Sequence, residues 1–216
     1  MDKRWAIFDM DGTLVDSMGY WKDLGREYLR RQGVTGDVEA VLERIKPMTT
    51  AESAQLFMEA FDIPGPVERV AADINAVIER HYREDIPLKP GVLDYLDALR
   101  EKGVRACVAT ATAESLARSC LERLKVLDRF DFLISCEEVG VGKDSPAVYL
   151  ESARRLGGEP ADTAVYEDAP YSLRTARAAG FYTVAVYDES CGDRWDKASA
   201  LADETILDWR TAHDPL

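Results

Sequence analysis

The chain contains no long apolar run. None of its stretches approaches the ~20 consecutive apolar residues of a membrane-spanning helix, so no membrane association is expected. Cysteine is sparse and unpatterned. Cys107, Cys120, Cys136 and Cys191 stand far apart with no C-x-x-C among them. That spacing argues for reduced thiols in a cytoplasmic protein. Cys107 and Cys136 fall in apolar strand patterns, where a free thiol serves as a small core residue. Positive charge is also short: Lys+Arg number 27 against 40 Asp+Glu, a net charge of −13. A nucleic-acid footprint is basic, so nucleic acid is disfavoured as a partner. An acidic chain that handles an anionic substrate needs local compensation, from a metal and a few placed cations. Repeats and low-complexity tracts are missing as well. Met1-Asp2-Lys3-Arg4 runs straight into an apolar segment, which leaves no signal peptide to be expected. What remains is a balance of 46% hydrophobic and 31% charged residues over 216 positions. It is enough for one large domain, or a core with a smaller insert.

The stretch around which the chain is organised is Trp5 to Ser17, W-A-I-F-D-M-D-G-T-L-V-D-S. The apolar run Trp5-Ala6-Ile7-Phe8 reads as a buried strand, and Gly12 breaks it just after Asp9 and Asp11. Two carboxylates two residues apart at a strand end are costly to bury unpaired. They normally meet a cation or a solvent-filled cleft. Mg²⁺ suits them, since it takes one or two carboxylates and fills its other positions with water and substrate phosphate. An acidic turn after an edge strand would fit the same four residues, D-x-D-G.

From Ser17 to Glu84 the pattern is helical throughout, with helices expected over Gly19–Arg31, Asp37–Ile45, Thr50–Phe61 and Val67–Tyr82. About 70 residues of helix between one strand and a later strand–helix alternation indicate an inserted all-helical subdomain. After Pro87 helices and strands alternate. Helices are expected at Val92–Lys102, Ala113–Leu124, Ser145–Leu156, Ala169–Ala179 and Arg194–Ala202. Strands are expected at Val104–Thr110, Phe130–Cys136, Asp162–Glu167 and Thr183–Tyr187, with a short edge strand at Thr205–Trp209. Near-continuous apolar strands alternating with helices mean a parallel sheet covered on both faces, an α/β fold. The expected division is a Rossmann-like core of residues 1–16 and 88–216 and a helical unit of residues 17–87. In such sheets ligands bind beyond the carboxyl ends of the strands.

Other polar residues stand at those ends. Thr110, in V-A-T-A-T, precedes a helix, where a hydroxyl and backbone N–H groups can form an anion site or an ordinary cap. Lys143 lies in V-G-K-D-S-P, a loop position where a lysine is either surface or a charge placed among anions. Glu167-Asp168 closes a strand with paired acids, which point to a metal or to a helix cap.

Asp9-Met10-Asp11-Gly12-Thr13-Leu14-Val15-Asp16-Ser17 resembles the nucleophile motif of the haloacid-dehalogenase-like hydrolase superfamily. Thr110, Gly142-Lys143 with Pro146, and Glu167-Asp168 resemble its remaining motifs, in the same order. The nearest group by pattern is the β-phosphoglucomutase-like phosphatases with a helical cap. The resemblance implies that Asp9 attacks phosphorus and carries an aspartyl-phosphate. Asp11 would protonate the leaving oxygen and then deprotonate the attacking water. It implies Mg²⁺ held by the Asp9 carboxylate, the Asp11 backbone carbonyl and Asp168, with Glu167 in support. Thr110 and Ala111 would bind the phosphoryl oxygens, and Lys143 would neutralise nucleophile and phosphoryl charge. Both carboxylate roles have ordinary chemical precedent.

Some positions depart from the pattern. Trp21 stands where the mutase has a histidine. Pro47 and Thr50 stand where the cap loop often carries Gly and Arg, which leaves Lys46 as the cap residue placed to touch substrate. Ala169 replaces a usual Ser and Ala147 a frequent Asp. The expectation is a cytoplasmic Mg²⁺-dependent phosphatase of a small phosphorylated metabolite, a monomer or weak homodimer. Its cap would close over the site, and Trp21, Lys22, Arg26, Lys46 and Met48 are candidate selectors. A phosphomutase and a catalytically silent protein on the same fold are the alternatives.

Overall fold

The computed structural model describes residues 3–45, 48 and 50–212. The chain divides into two compact units: residues 1–18 with 86–216, and residues 19–85.

The larger unit is built on a six-stranded parallel sheet: β1 (Trp5–Phe8), β2 (Arg105–Thr110), β3 (Phe132–Ser135), β4 (Thr163–Glu167), β5 (Tyr182–Val186) and β6 (Glu204–Ile206). The strand order is β3-β2-β1-β4-β5-β6, parallel at every pairing. The chain lays β2 and β3 on one side of β1 and then returns to place β4 on the other. The order therefore reverses between β1 and β4, and the crevice outside their carboxyl ends is where an α/β sheet of this kind binds ligands.

Period-two alternation decides which side of the sheet each residue serves. Ile7, Cys107, Ile134 and Val165 share one buried cluster with Val148, Tyr149, Ala153 and Leu156. Phe8 and Tyr166 stack on the opposite face, ring centroids 4.2 Å apart, beside Trp209.

The smaller unit holds most of α1 (Met18–Arg31), together with α2 (Glu39–Ile45), α3 (Thr50–Phe61) and α4 (Val67–Glu84). Its core gathers Tyr28, Leu29, Phe57, Val70, Ile74 and Val77, spaced along the apolar faces of those helices. Gly25 is a packing glycine, since a Cβ there would lie 2.9 Å from both Leu42 and Ile45.

The helices of the sheet unit are α5 (Val92–Glu101), α6 (Glu114–Arg123), α7 (Cys136–Val139), α8 (Ala147–Leu156), α9 (Pro170–Ala178) and α10 (Trp195–Leu201). Three local differences from the sequence expectations have identifiable causes. Cys136 is not a strand residue. The Ser135 hydroxyl accepts from the Glu137 backbone N–H, ends β3 and caps the short α7. Trp209 is not in the edge strand. β6 stops at Ile206, and the Asp208 carboxylate accepts from the Arg210 N–H to start a 3₁₀ turn over Trp209–Thr211. α6 begins at Glu114, one residue later than expected, because Ala113 is its non-helical N-cap.

All four cysteines are free and buried. Burial pushes the Cys107 thiol up to about 12 and the Cys120 thiol up to about 11. Among the described residues no helix is long and apolar enough to cross a membrane.

Candidate functional site

The site grows from the end of β1. Asp9 is the first residue past the strand, and its N–H still donates to the Tyr166 carbonyl of β4 at 3.0 Å. The chain then folds back on itself, with the Leu14 and Val15 N–H groups both donating to the Met10 carbonyl. That turn requires Gly12 at φ +77°, and a Cβ on Gly12 would lie 2.6 Å from Asp168 Oδ2. Glycine is needed twice over here, once for the backbone and once for the approach to Asp168.

Four residues from three separate stretches of the chain meet at this point. The Lys143 ammonium donates to Asp9 Oδ1 and, at 2.7 Å, to Glu167 Oε1. Asp9, Glu167 and Asp168 each offer a carboxylate oxygen, all within 4.8 Å of one another. All four side chains are buried. Three carboxylates and one ammonium leave an excess of buried negative charge. Its consequence is visible in the acidities. Burial, then the Glu167 charge, raise Asp9 well above the usual carboxylate range despite Lys143. Burial, Glu167 and Asp188 push Asp168 up to about 7. Burial works against the Lys143 charge, yet Asp9 and Glu167 outweigh it and hold the ammonium firmly protonated. A set of hard oxygen donors with unbalanced negative charge in a buried position fits Mg²⁺, and Asp9, Asp168 and Glu167 are the side chains that could hold it.

Asp11 stands outside this trio. Its Oδ1 accepts from the Ser17 hydroxyl at 2.6 Å and its Oδ2 from the Thr112 hydroxyl at 2.7 Å. Of the metal ligands expected from the sequence, Asp11 is the one to which the resemblance gives only a backbone carbonyl, and its side chain is engaged elsewhere.

Thr110 ends β2, fully buried, and its hydroxyl accepts from the Thr112 N–H at 3.0 Å. The Thr112 carbonyl accepts in turn from Ser135. The T-A-T segment is thus tied down on both sides, with Ala111 exposed at its middle. Thr110 caps its own turn, the ordinary cap of the two readings open for it, and the helix that follows takes Ala113 as its N-cap.

Three contributors escaped the sequence reading. Ser17 and Thr112 lie inside quoted motifs, but nothing in their spacing reveals that they face one carboxylate. Tyr149 lies six residues past Lys143 on α8. Its phenol donates to Glu167 Oε1 at 2.7 Å, and its ring lies 5.9 Å from the Lys143 nitrogen.

The residues expected to choose the substrate belong to the other unit. Trp21 is partly exposed and its indole N–H donates to the Tyr82 hydroxyl at 2.9 Å. Arg26 is paired with Glu39. Lys46 and Pro47 lie outside the described residues.

Comparison with known proteins gives the family and the fold. A family model described as haloacid dehalogenase-like hydrolase matches residues 3–180. A phosphorylated carbohydrates phosphatase of Thermotoga maritima is 30% identical over 202 residues, covering 91% of this chain and 92% of its own. Hexitol phosphatase B of Escherichia coli K12 is 29% identical, over 84% of this chain and 82% of its own. Among solved structures, a Thermotoga maritima protein provisionally described as a β-phosphoglucomutase superposes with a TM-score of 0.81. It is 25% identical, covering 96% of this chain and 95% of that one. The shared fold and the match over most of its length show that this chain belongs to the haloacid dehalogenase-like hydrolase family.

Proposed function

We propose that the protein is a Mg²⁺-dependent phosphatase of a small phosphomonoester, working through a phosphorylated Asp9. The observation that carries this reading is the buried meeting of Asp9, Glu167, Asp168 and Lys143 at the β1–β4 switch point.

The residues divide the work as their surroundings dictate. Asp9 is the nucleophile: one of its oxygens bonds to phosphorus as the bond from phosphorus to the leaving oxygen breaks. Lys143, at hydrogen-bond reach of the same carboxylate, lets the incoming phosphoryl group approach a site already negative. Thr110 and Ala111, at the end of β2, bind the phosphoryl oxygens. Asp11 gives its proton to the leaving alkoxide, then takes one from water as that water attacks the phosphorus on Asp9. Hydrogen bonds from the Ser17 and Thr112 hydroxyls hold the Asp11 carboxylate in place and support this role. Asp9, Asp168 and Glu167 would hold Mg²⁺, which would supply positive charge to offset that of the phosphoryl oxygens. The helical unit, residues 19–85, is proposed as the cap that chooses the leaving group, and the cytoplasm as the place of work. The names of the relatives make sugar and sugar-alcohol phosphates the first substrates to try.

The test is phosphate release from a panel of sugar phosphates, phosphoglycolate and nucleotides, with wild type and Asp9→Asn. Release that requires Mg²⁺ and disappears in Asp9→Asn is expected. Release that persists in Asp9→Asn excludes the covalent route. Recovery of an isomerised sugar phosphate in place of free phosphate makes the enzyme a mutase. No turnover of any phosphoester, with Mg²⁺ present, leaves the fold as a binding protein.

A further inference from the structure

We infer that Tyr149 is a positioning residue for the metal site, acting by fixing the Glu167 carboxylate between its phenol and Lys143. The inference rests on the metal reading proposed above and adds a residue to it.

Glu167 Oε1 receives two donors, the Tyr149 hydroxyl and the Lys143 ammonium, each at 2.7 Å. Two charge-assisted hydrogen bonds on one oxygen set the plane of the carboxylate. Glu167 then cannot rotate freely, and its orientation toward Asp9 and Asp168 is set by the protein before any cation arrives. Tyr149 is itself immobile. It is fully buried, it lies on α8 within the cluster that covers one face of the sheet, and its ring meets Phe181 edge-on at 6.2 Å. The ring also lies beneath the Lys143 ammonium, 5.9 Å from its centroid. A single side chain therefore supports both members of the Lys143–Glu167 pair. Groups that orient ligands from behind are worth roughly 10–100-fold in metal affinity.

Tyr149→Phe isolates the hydroxyl, because the ring, its packing and its position under Lys143 are kept. The experiment measures Mn²⁺ dissociation constants by electron paramagnetic resonance in wild type, Tyr149→Phe and the packing control Phe181→Leu. Thermal unfolding midpoints of the metal-free proteins are measured alongside. The expected result is about tenfold weaker Mn²⁺ binding in Tyr149→Phe. Phe181→Leu should lower the unfolding midpoint and leave Mn²⁺ binding unchanged. Wild-type affinity in Tyr149→Phe overturns the inference while leaving the metal site standing. Equal weakening in both variants also overturns it, since packing alone would then explain the loss. If wild type itself binds no Mn²⁺, both the metal reading and this inference fall.

Discussion

At the scale of single residues, the site is a problem of placing charge. Gly12 makes this concrete. Its φ of +77° suits glycine, and any Cβ there would meet Asp168 Oδ2 at 2.6 Å. Gly12→Ala should therefore abolish phosphatase activity and weaken Mn²⁺ binding. It should also cost about 1 kcal/mol or more of stability for the strained backbone. Chemical denaturation and metal titration on the same sample check both parts, and a fully active Gly12→Ala enzyme would refute the close approach. Thr112 offers a subtler case, since its hydroxyl holds Asp11 Oδ2 while its backbone ties down the T-A-T turn. Thr112→Val removes only the hydroxyl. General acid–base steps contribute roughly 10²–10⁴-fold, so misplacing the group is expected to lower kcat by about tenfold with little change in KM. A change confined to KM would place Thr112 in ground-state binding instead.

At the scale of elements, the clearest electrostatic device lies in the helical unit. Glu27 on α1 accepts from His81 Nε2 at 2.7 Å, Arg31 at 2.6 Å and Arg80 at 3.0 Å, joining α1 to α4. Partial burial raises the Glu27 carboxyl, but hydrogen bonds from His81 and Arg31 outweigh it and hold it below its ordinary value. A depressed carboxyl stabilises the fold above its unfolded-state value, near pH 4.3, and that contribution fades as pH falls through the folded value. Glu27→Gln should thus cost about 1–3 kcal/mol at pH 7, as expected for hydrogen bonds to a charged group. The deficit should narrow toward pH 3.5 in urea titrations, and a constant deficit across that range would count against the argument.

The same scale shows what sequence could and could not reveal. The strands of the sheet are legible because parallel strands buried on both faces are continuous apolar runs. That places Asp9, Thr110 and Glu167 at carboxyl ends before any coordinates are seen. Ends decided by one hydrogen bond are less legible. Ser135 turns Cys136 from strand into helix, and Asp208 turns Trp209 out of the edge strand. Trp209 then packs on Tyr95 and donates its indole N–H to the Thr13 carbonyl, a contact across 196 residues. Tyr149 was hidden for the same reason. Its helix and buried face follow from periodicity, but the partner of its hydroxyl depends on how α8 lies against β4.

At the scale of the whole molecule, stability and function pull the site in opposite directions. The chain carries a net charge of −13, and its sheet unit buries three carboxylates around one lysine. In metal-free protein this arrangement is a liability, expressed in Asp168 being pushed up to about 7 by burial, Glu167 and Asp188. A carboxyl raised in the folded state favours the fold at low pH, and that stability drains away as pH rises from the unfolded-state value near 3.9 through about 7. Asp168→Asn keeps the shape and removes the charge. Metal-free Asp168→Asn should therefore unfold several degrees above metal-free wild type at pH 8, where Asp168 is ionised. The difference should narrow as pH falls below about 7 and vanish only below about 3.9, where folded and unfolded wild type both hold the proton. Mg²⁺ should reverse the ranking. A cation at 100 times its dissociation constant stabilises the native state by about 2.7 kcal/mol, but only in the protein that binds it. Because a chain of this charge responds to any salt, the comparison belongs at matched ionic strength, Mg²⁺ against Na⁺. Calorimetry that finds metal-free Asp168→Asn less stable than wild type at pH 8 would show that the carboxylates are not strained against one another. The account of why this site demands a cation would then fail with it.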